Sequence, residues 1–232
     1  MKKSGIIFIL TIILLPATLF SQSKKWYPTS SGEIIFSAAS IESNGNEGES
    51  VIRFSPVFNS QNHINRDFGD YFGMFSGLNV RNVGFIFKDE AGSGRTKYRT
   101  YNLGIPIGVK LGNLKENFLY GGYEIEFPFN YKEKRFVNEK KTEKFSVWFS
   151  KRVPTYYHSF ILGLELKSGI NFKLKYYLTS FFNKDFVEDV GGQPVKIYEN
   201  FDVNVLYFSL SFDMFKAFNQ SKQITRTEEV MY

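Results

Sequence analysis

The chain has 232 residues, with 29 Lys and Arg residues against 23 Asp and Glu residues and a net charge of +6. So small a positive surplus does not indicate nucleic-acid binding. The absence of cysteine excludes disulfide bonds and a lipid-modified cysteine, and the length suffices for one sizeable domain.

The N-terminus has the organisation of a secretory signal peptide. Lys2 and Lys3 precede the apolar run Ile6–Leu15, which is shorter than the roughly 20 residues that a membrane-spanning helix needs. We therefore expect residues 1–21 to be a signal peptide that is cleaved after Ser21, with an uncleaved anchor helix as the alternative. The protein is then exported from the cytoplasm.

Behind this leader, apolar and polar residues alternate with the period of half-buried strands. The alternation is clean in Tyr101–Leu111, Tyr123–Asn130, Ser159–Lys167 and Ile170–Phe182. Further segments are rich in β-forming residues but slip phase, as a β-bulge would cause: Glu33–Ile41, Val51–Ile64, Tyr71–Phe87 and Phe201–Met214. About eight strands predict an all-β fold, an eight-stranded antiparallel up-and-down transmembrane β-barrel over residues 22–215. Residues 216–232 would form a polar periplasmic tail.

The lengths of the connections between these segments alternate along the chain. The short connections are Asp67–Asp70, Gly112–Asn117 and Lys167–Gly169, and the long ones are Glu42–Glu49, Lys88–Lys97, Tyr131–Thr155 and Lys184–Asn200. Transmembrane barrels have tight periplasmic turns and long outer loops, whereas a soluble barrel has no reason to separate loops by length.

The direction of burial also favours a membrane barrel over a soluble periplasmic binding barrel. An eight-stranded interior barely holds its side chains, and the aromatic residues of the apolar face would overfill it: Phe127, Phe129, Phe160, Phe172, Tyr176 and Phe182. We therefore expect the polar face to point inward. The charges on that face are candidates for an interior ion network: Lys110, Glu124, Glu126, Glu165, Lys173 and Lys175. The mid-strand prolines Pro56, Pro106 and Pro128 do not fit regular strands.

The segment Ile170–Phe182 gives the sharpest version of this prediction. Its lipid-facing residues would be Phe172, Leu174, Tyr176 and Leu178, and its inward residues Asn171, Lys173, Lys175 and Thr179. The short turn before it would place Glu165 opposite Asn171 and diagonal to Lys173. On this pattern Leu174→Lys should impair folding into lipid far more than Lys175→Leu.

The longest connection, Tyr131–Val153, carries a surplus of lysine and arginine. Phe145, Trp148 and Phe149 have helical i, i+3, i+4 spacing, although Phe145, Val147 and Phe149 also alternate as in a strand. We predict a short amphipathic helix that caps the barrel mouth or lies against the outer leaflet.

No pattern predicts catalytic, cofactor-binding or metal-binding residues. His158 and Ser159 are adjacent, so a regular strand points them to opposite faces and they cannot act as a base and nucleophile pair. His63 has no second histidine or cysteine nearby to complete a metal site. Glu124 and Glu126 are better explained by the ion network than by acid–base catalysis.

The segments GEIIFSAAS, VIRFSPVFN and YGGYEIEFPFNYKEK resemble those of small outer-membrane β-barrel proteins of Gram-negative bacteria, in particular the PorT-like family. The resemblance implies a barrel in the cell outer membrane with a structural or interaction role, in secretion or envelope assembly. Its partners would be outer-membrane lipid, lipopolysaccharide and other envelope or secretion proteins. The alternatives are a lipid-modifying outer-membrane enzyme, a small pore and a soluble periplasmic binding barrel.

Overall fold

The computed structural model describes residues 26–88 and 94–213. The predicted signal peptide, 1–21, and the predicted tail, 216–232, lie outside these residues. Within the described ranges, no helix has the length and apolar character needed to cross a membrane.

Antiparallel strands close into a ring, which confirms the predicted fold class. The strands are β1 (Tyr27–Ser43), β2 (Asn46–Gly48), β3 (Ser50–Val51), β4 (Arg53–Ser55), β5 (Ser60–Asp67), β6 (Phe72–Lys88), β7 (Gly94–Gly112), β8 (Phe118–Val137), β9 (Lys140–Trp148), β10 (Tyr157–Glu165), β11 (Ile170–Tyr177), β12 (Val187–Val190), β13 (Gln193–Lys196) and β14 (Phe201–Asp213). The ring runs β1, β5, β6, β7, β8, β10, β11, β14 and back to β1. The ring is closed because β1 pairs with β14 from Ser31 opposite Asp213 to Ser43 opposite Phe201.

The structure accounts for each of the three mid-strand prolines. Pro56 lies in the segment 56–59, which interrupts the second strand of the barrel between β4 and β5. Pro128 pairs with Asn102 beside the bulge that shifts the β7–β8 register. These two prolines therefore lie where the ladder is already irregular.

Pro106 lies at a break in the ladder between β6 and β7. The pairs Ser76–Ile107 and Asn79–Gly104 flank this break, and the residues between them are not paired across the two strands. The hydroxyl of Ser76 donates instead to the carbonyl oxygen of Pro106, 2.8 Å away. The missing N–H of proline therefore falls where β6 makes no ladder bond with β7.

The connections are segregated by end. One end, here called the short-turn end, carries the connections β5–β6, β7–β8 and β10–β11. The opposite end, here called the hairpin end, carries the longer segments. Tyr27 and Asp213 both lie at the short-turn end, since they pair with Asn65 and Ser31 respectively.

Predicted long loops form strands in the structure, among them Lys184–Asn200, which contains the β12–β13 hairpin. Glu42–Glu49 folds into a tight hairpin whose turn residues Asn44 and Gly45 both have positive φ. The helix predicted around Phe145 and Trp148 is wrong, because these residues belong to β9, which pairs with the outer part of β8. The alternation of Phe145 and Val147, together with the positive-φ turn at 138–139, determines the β8–β9 hairpin.

The outer surface of the ring is apolar. The large exposed side chains on it form a band, here called the apolar belt: Phe36, Ile64, Met74, Leu78, Leu103, Ile105, Ile107, Leu111, Leu119, Phe127, Phe160, Leu162, Phe172, Leu174, Tyr176, Leu178, Leu206, Phe208 and Phe212. The expected faces of β11 are confirmed, since its lysines are buried and its apolar residues are exposed. Phe182 is an exception to the predicted faces, because the strand ends at Tyr177 and Phe182 turns into the interior.

Candidate functional site in the barrel interior

The middle of the barrel interior contains a cluster of charged side chains, each no more than 3% exposed. They come from β1, β6, β8 and β11, and the cluster is here called the ion network. Its members are three acids and three bases: Glu33, Arg81, Glu124, Glu126, Lys173 and Lys175. The period-two alternation of each strand directs these side chains inward while their neighbours in sequence join the apolar belt or lie beside it.

Arg81 is the centre of the network. Its Nε lies 2.9 Å from Glu33 Oε2, and its Nη1 lies 3.1 Å from Glu126 Oε1. The same Nη1 also pairs with Glu124. One guanidinium therefore joins carboxylates from two different strands, which its fixed fork of N–H donors is suited to do.

The two lysines complete the charge balance. Lys175 Nζ lies 2.6 Å from Glu124 Oε2 and also pairs with Glu126. Lys173 pairs with Glu33 and donates to the amide oxygen of Gln61, 2.8 Å away. Each ammonium group thus has acceptors that replace the water it loses on burial.

Neutral donors fill the remaining positions on the carboxylates. Asn79 donates to Glu124 at 2.6 Å. Glu126 accepts from Asn102 at 2.7 Å and from the hydroxyl of Tyr177 at 2.8 Å. Ser209 donates to Glu33 at 2.8 Å. Buried ion pairs compensate for the loss of hydration only when such additional hydrogen bonds are present.

The structure brings together four of the six residues proposed from the sequence: Glu124, Glu126, Lys173 and Lys175. Lys110 lies nearer the short-turn end, where it pairs with Asp67 at 2.6 Å and donates to the Tyr27 hydroxyl at 2.7 Å. Glu165 also lies away from the network, and its Oε2 accepts a long 3.5 Å hydrogen bond from Asn171.

Glu33 and Arg81 were missed because their strands lack clean alternation in the sequence. Arg81 is nevertheless the only charged residue in Phe72–Phe87, a run of apolar, small and neutral polar residues. A lone charge in the middle of a spanning strand has to face the interior. That signal would have identified it.

Aromatic residues close the interior above the ion network, at the hairpin end. Phe182 stacks on Tyr198 with ring centroids 4.2 Å apart, and Phe85 packs edge-to-face on Phe181 at 5.2 Å. The hydroxyl of Tyr157 donates to the carbonyl oxygen of Phe181 at 2.8 Å. The rings of Phe85, Phe181 and Phe182 are each no more than 2% exposed, and this group is here called the aromatic plug.

A smaller cluster lies below the network. Phe75, Leu114, Phe118, Tyr120 and Ile161 pack together at the short-turn end. Beside them is a cavity of about 50 Å³, which has room for a few water molecules.

The two histidines lie on opposite sides of the barrel wall. His158 faces outward against the Tyr123 hydroxyl, whereas Ser159 is fully buried and donates to the carbonyl oxygen of Glu124 at 3.1 Å. His63 faces inward and stacks on Phe75 at 5.1 Å. Across residues 26–88 and 94–213, no group of three or more potential ligands is arranged to bind a metal ion.

Comparison with known proteins finds no matching family model and no matching curated protein. Solved structures with a similar chain path include Ail of Yersinia pestis in complex with the heparin analogue sucrose octasulfate. It has 11% identity, covers 79% of this chain and 96% of its own, and gives a TM-score of 0.37. Neisserial surface protein A has 8% identity, coverage of 82% and 100%, and a TM-score of 0.39. OprG of Pseudomonas aeruginosa has 12% identity, coverage of 83% and 98%, and a TM-score of 0.32.

These similarities are too weak to assign a function to the chain. Membership of the PorT-like family stays a prediction from sequence, because no family model matches.

Proposed function

We propose that this chain is an outer-membrane β-barrel protein with a structural or interaction role in secretion or envelope assembly, and that it is not an enzyme. The apolar belt is the observation that carries the proposal. Along β7 the outward positions from Leu103 to Leu111 are all apolar, while the charged groups at the same level lie inside. Soluble monomers rarely expose an apolar surface this large.

The height of the belt agrees with the thickness of a bilayer. On β7 it runs from Leu103 to Leu111, roughly nine residues, and a tilted strand needs about 9–11 to cross the hydrocarbon core. Aromatic residues flank it at both ends, with Tyr101 at the hairpin end and Tyr71 at the short-turn end. Such aromatic girdles are typical of the membrane interface.

The filled interior favours a structural or interaction role over a pore. The ion network and the aromatic plug occupy the described lumen, and eight strands leave little space beyond that. The hairpins that project beyond the barrel are then the parts available to a partner: β8 with β9, and β12 with β13.

The placement of His158 and Ser159 on opposite faces supports a protein without lipid-modifying activity. Such an enzyme needs a base and a nucleophile within hydrogen-bond reach. Among residues 26–88 and 94–213, the His158 ring contacts Tyr123 and Tyr156, while Ser159 points to the opposite face.

Cell fractionation and gel mobility test the location. The protein should be recovered with the outer membrane and should migrate faster in detergent gels before boiling than after it. Recovery in the soluble periplasmic fraction without detergent would contradict the proposal. Mass spectrometry of lipid A from a deletion strain tests the enzyme alternative. An acyl difference that wild type restores and His158→Ala does not would establish enzymatic activity.

Shortened hairpins test the interaction role. Replacing residues 134–144 with Asn-Gly joins Glu133 to Phe145, which are directly paired, and should abolish complementation of any secretion or envelope defect while the barrel still folds. A second variant tests the other projecting hairpin by replacing 188–195 with Asn-Gly between the paired residues Val187 and Lys196. Full complementation by both shortened proteins would exclude these hairpins as interaction sites.

A further inference from the structure

At the hairpin end, β7, β8 and β9 continue side by side past Tyr157, the first residue of β10, and β6 pairs along β7 as far as Lys88 opposite Arg95. β8 lies between β7 and β9, with Lys134 opposite Lys97 of β7 and also opposite Lys144 of β9. This extension has two faces, and they differ in composition.

One face looks over the barrel mouth and carries aromatic side chains together with Glu133 and the ion pair of Arg135 with Glu143. Tyr131 packs edge-to-face on Phe145 at 6.2 Å, and Tyr98 packs edge-to-face on Phe182 of the aromatic plug at 5.1 Å. The other face continues the lipid side of the barrel, because residues 95, 97 and 99 of β7 follow the same alternation as Leu103.

The lipid-side face is basic, and it is here called the cationic face. Its members are Lys97, Arg99, Lys132, Lys134, Lys141 and Lys144. None of these six forms an ion pair with any residue that the structure describes. Arg95, beside them, pairs with Glu139 at 2.6 Å.

The register places like charges directly opposite one another. Arg99 lies opposite Lys132, and Lys134 lies between Lys97 and Lys144. Such cross-strand pairs destabilise a sheet. Partial burial and the surrounding cations Arg99, Lys141, Lys144 and Lys97 lower the pKa of Lys134 below its ordinary value. An anion bound across the strands would relieve this repulsion.

The position of the face along the barrel identifies the anion. Between the apolar belt and the cationic face lie Tyr101, Phe129 and Trp148, with centroid distances of 6.4 Å and 5.9 Å between successive rings. Lys132 Nζ lies 4.6 Å from the Tyr101 ring. Arg99 is two residues beyond Tyr101, or about 7 Å along the strand. The order from the bilayer outward is therefore apolar, aromatic and cationic, which is the order of hydrocarbon, interface and charged headgroup.

We propose that the cationic face binds the phosphate groups of an outer-leaflet glycolipid. This inference rests on the proposed outer-membrane location, from which it follows that the face lies beside the headgroups and not over the mouth. A soluble polyanion is the less favoured ligand, because the surface that faces the mouth is the aromatic one and not the basic one.

The test compares wild type with the triple variant Lys97→Gln/Lys134→Gln/Lys144→Gln. Both are refolded in detergent and titrated with bisphosphorylated lipid A, with dephosphorylated lipid A, with inorganic phosphate and with a soluble sulfated polysaccharide. Wild type should bind the bisphosphorylated lipid at least about tenfold more tightly than the dephosphorylated one, and the triple variant should lose at least about tenfold in affinity for it.

The matched control is Lys140→Gln/Lys184→Gln/Lys196→Gln, which removes the same charge from the hairpin end but not from the cationic face, and it should bind like wild type. A Lys→Arg triple variant at the three test positions should retain binding. If the Gln variant does not fold, the affinities of wild type for bisphosphorylated and dephosphorylated lipid A still test whether the phosphate groups are bound. The proposal would be overturned if wild type bound the two forms of lipid A equally. It would also be overturned if the Gln variant bound the bisphosphorylated form as tightly as wild type does. Tighter wild-type binding of the polysaccharide or free phosphate than of lipid A would overturn it as well.

Insertion into phosphatidylcholine vesicles, measured first, separates this inference from the proposed function. A wild-type protein that does not insert contradicts both. A protein that inserts, but binds both forms of lipid A equally, contradicts only the role of the cationic face.

Discussion

The ion network and the cationic face both contain lysines, but they differ in whether those lysines have carboxylate partners. In the ion network every cation has a carboxylate partner, with Lys175 held between Glu124 and Glu126. On the hairpin, Lys134 has a lysine opposite it on each side. The difference follows from hydration, because a desolvated charge is costly without a partner whereas a hydrated one is not.

This comparison separates charges that stabilise the fold from charges that are free to bind a ligand. The interior network is balanced and has hydrogen bonds from neutral side chains as well, so it has little residual capacity for an external ion. The cationic face is unbalanced and therefore attracts anions. Four predictions, from the largest expected effect to the smallest, test the distinction.

The largest effect is expected for Glu124→Gln, which preserves the side-chain volume but leaves Arg81 and Lys175 with one carboxylate fewer. Breaking a buried pair in this way should lower the free energy of unfolding by about 3–5 kcal/mol. Urea unfolding in lipid vesicles, followed by tryptophan fluorescence, measures it. Glu139→Gln removes the exposed partner of Arg95 and serves as the control. If the two variants had equal stability, the interior pairs would contribute no more than the surface pairs.

The second prediction compares Leu174→Lys with Lys175→Leu. The sequence alone ranks the first as far more damaging, but Lys175 is 1% exposed and joins two carboxylates. We now expect similar losses, about 2–4 kcal/mol for a charge in the bilayer midplane and about 3–5 kcal/mol for the broken network. Refolding yields and urea midpoints in vesicles give the ranking. A Lys175→Leu protein as stable as wild type would restore the sequence-based expectation.

An intermediate effect is expected for Asp67→Asn, because the pair with Lys110 is partly shielded, with side chains 16% and 4% exposed. The Tyr27 hydroxyl still accepts from Lys110, so the loss should be about 1–3 kcal/mol. Glu116→Gln, which removes the exposed partner of Lys167, should cost less than about 1 kcal/mol. If Glu116→Gln lowered the free energy of unfolding more than Asp67→Asn does, the stability contribution of an ion pair would not increase with its burial.

The smallest effect, and the only stabilising one, is expected for Lys134→Glu. A carboxylate between Lys97 and Lys144 replaces two repulsive pairs with attractive ones, which should raise the free energy of unfolding by about 0.2–1 kcal/mol in neutral lipid. Lys140→Glu, on the opposite face of the same hairpin, is the matched control and should change stability less. Destabilisation by Lys134→Glu in phosphatidylcholine vesicles would show that the repulsion is already relieved within the protein.

The sequence was sufficient for the fold wherever alternation was strict. The faces of β11 and the pairing of Glu165 with Asn171 follow from period two and a short turn. The outer hairpins were harder to predict, because Phe145 and Trp148 fit a helix and a strand about equally well, and only pairing with β8 decides between them. Glu33 and Arg81 were missed for a related reason, since their strands lack a clean phase in isolation.

The site could be predicted only in part because a network is a property of several strands at once. Glu124 with Lys175 could be proposed from two clean strands. Arg81 joins Glu33 of β1 to two residues of β8, and a pattern within one segment cannot show such a contact. Lys110 was grouped with the network because it faces inward, but its height along the barrel gives it a different partner.

The closure of the ring by β1 and β14 has a consequence for the order of folding. The first and last described strands are neighbours, and Ser209 of β14 donates to Glu33 of β1. Such pairing between distant parts of the chain is slow to form, because a long loop has to close first. A nascent chain that has not yet delivered β14 leaves β1 and β11 each with an unpaired edge. The ring therefore closes only once β14 is available for pairing, and until then the exposed strand edges need protection from aggregation.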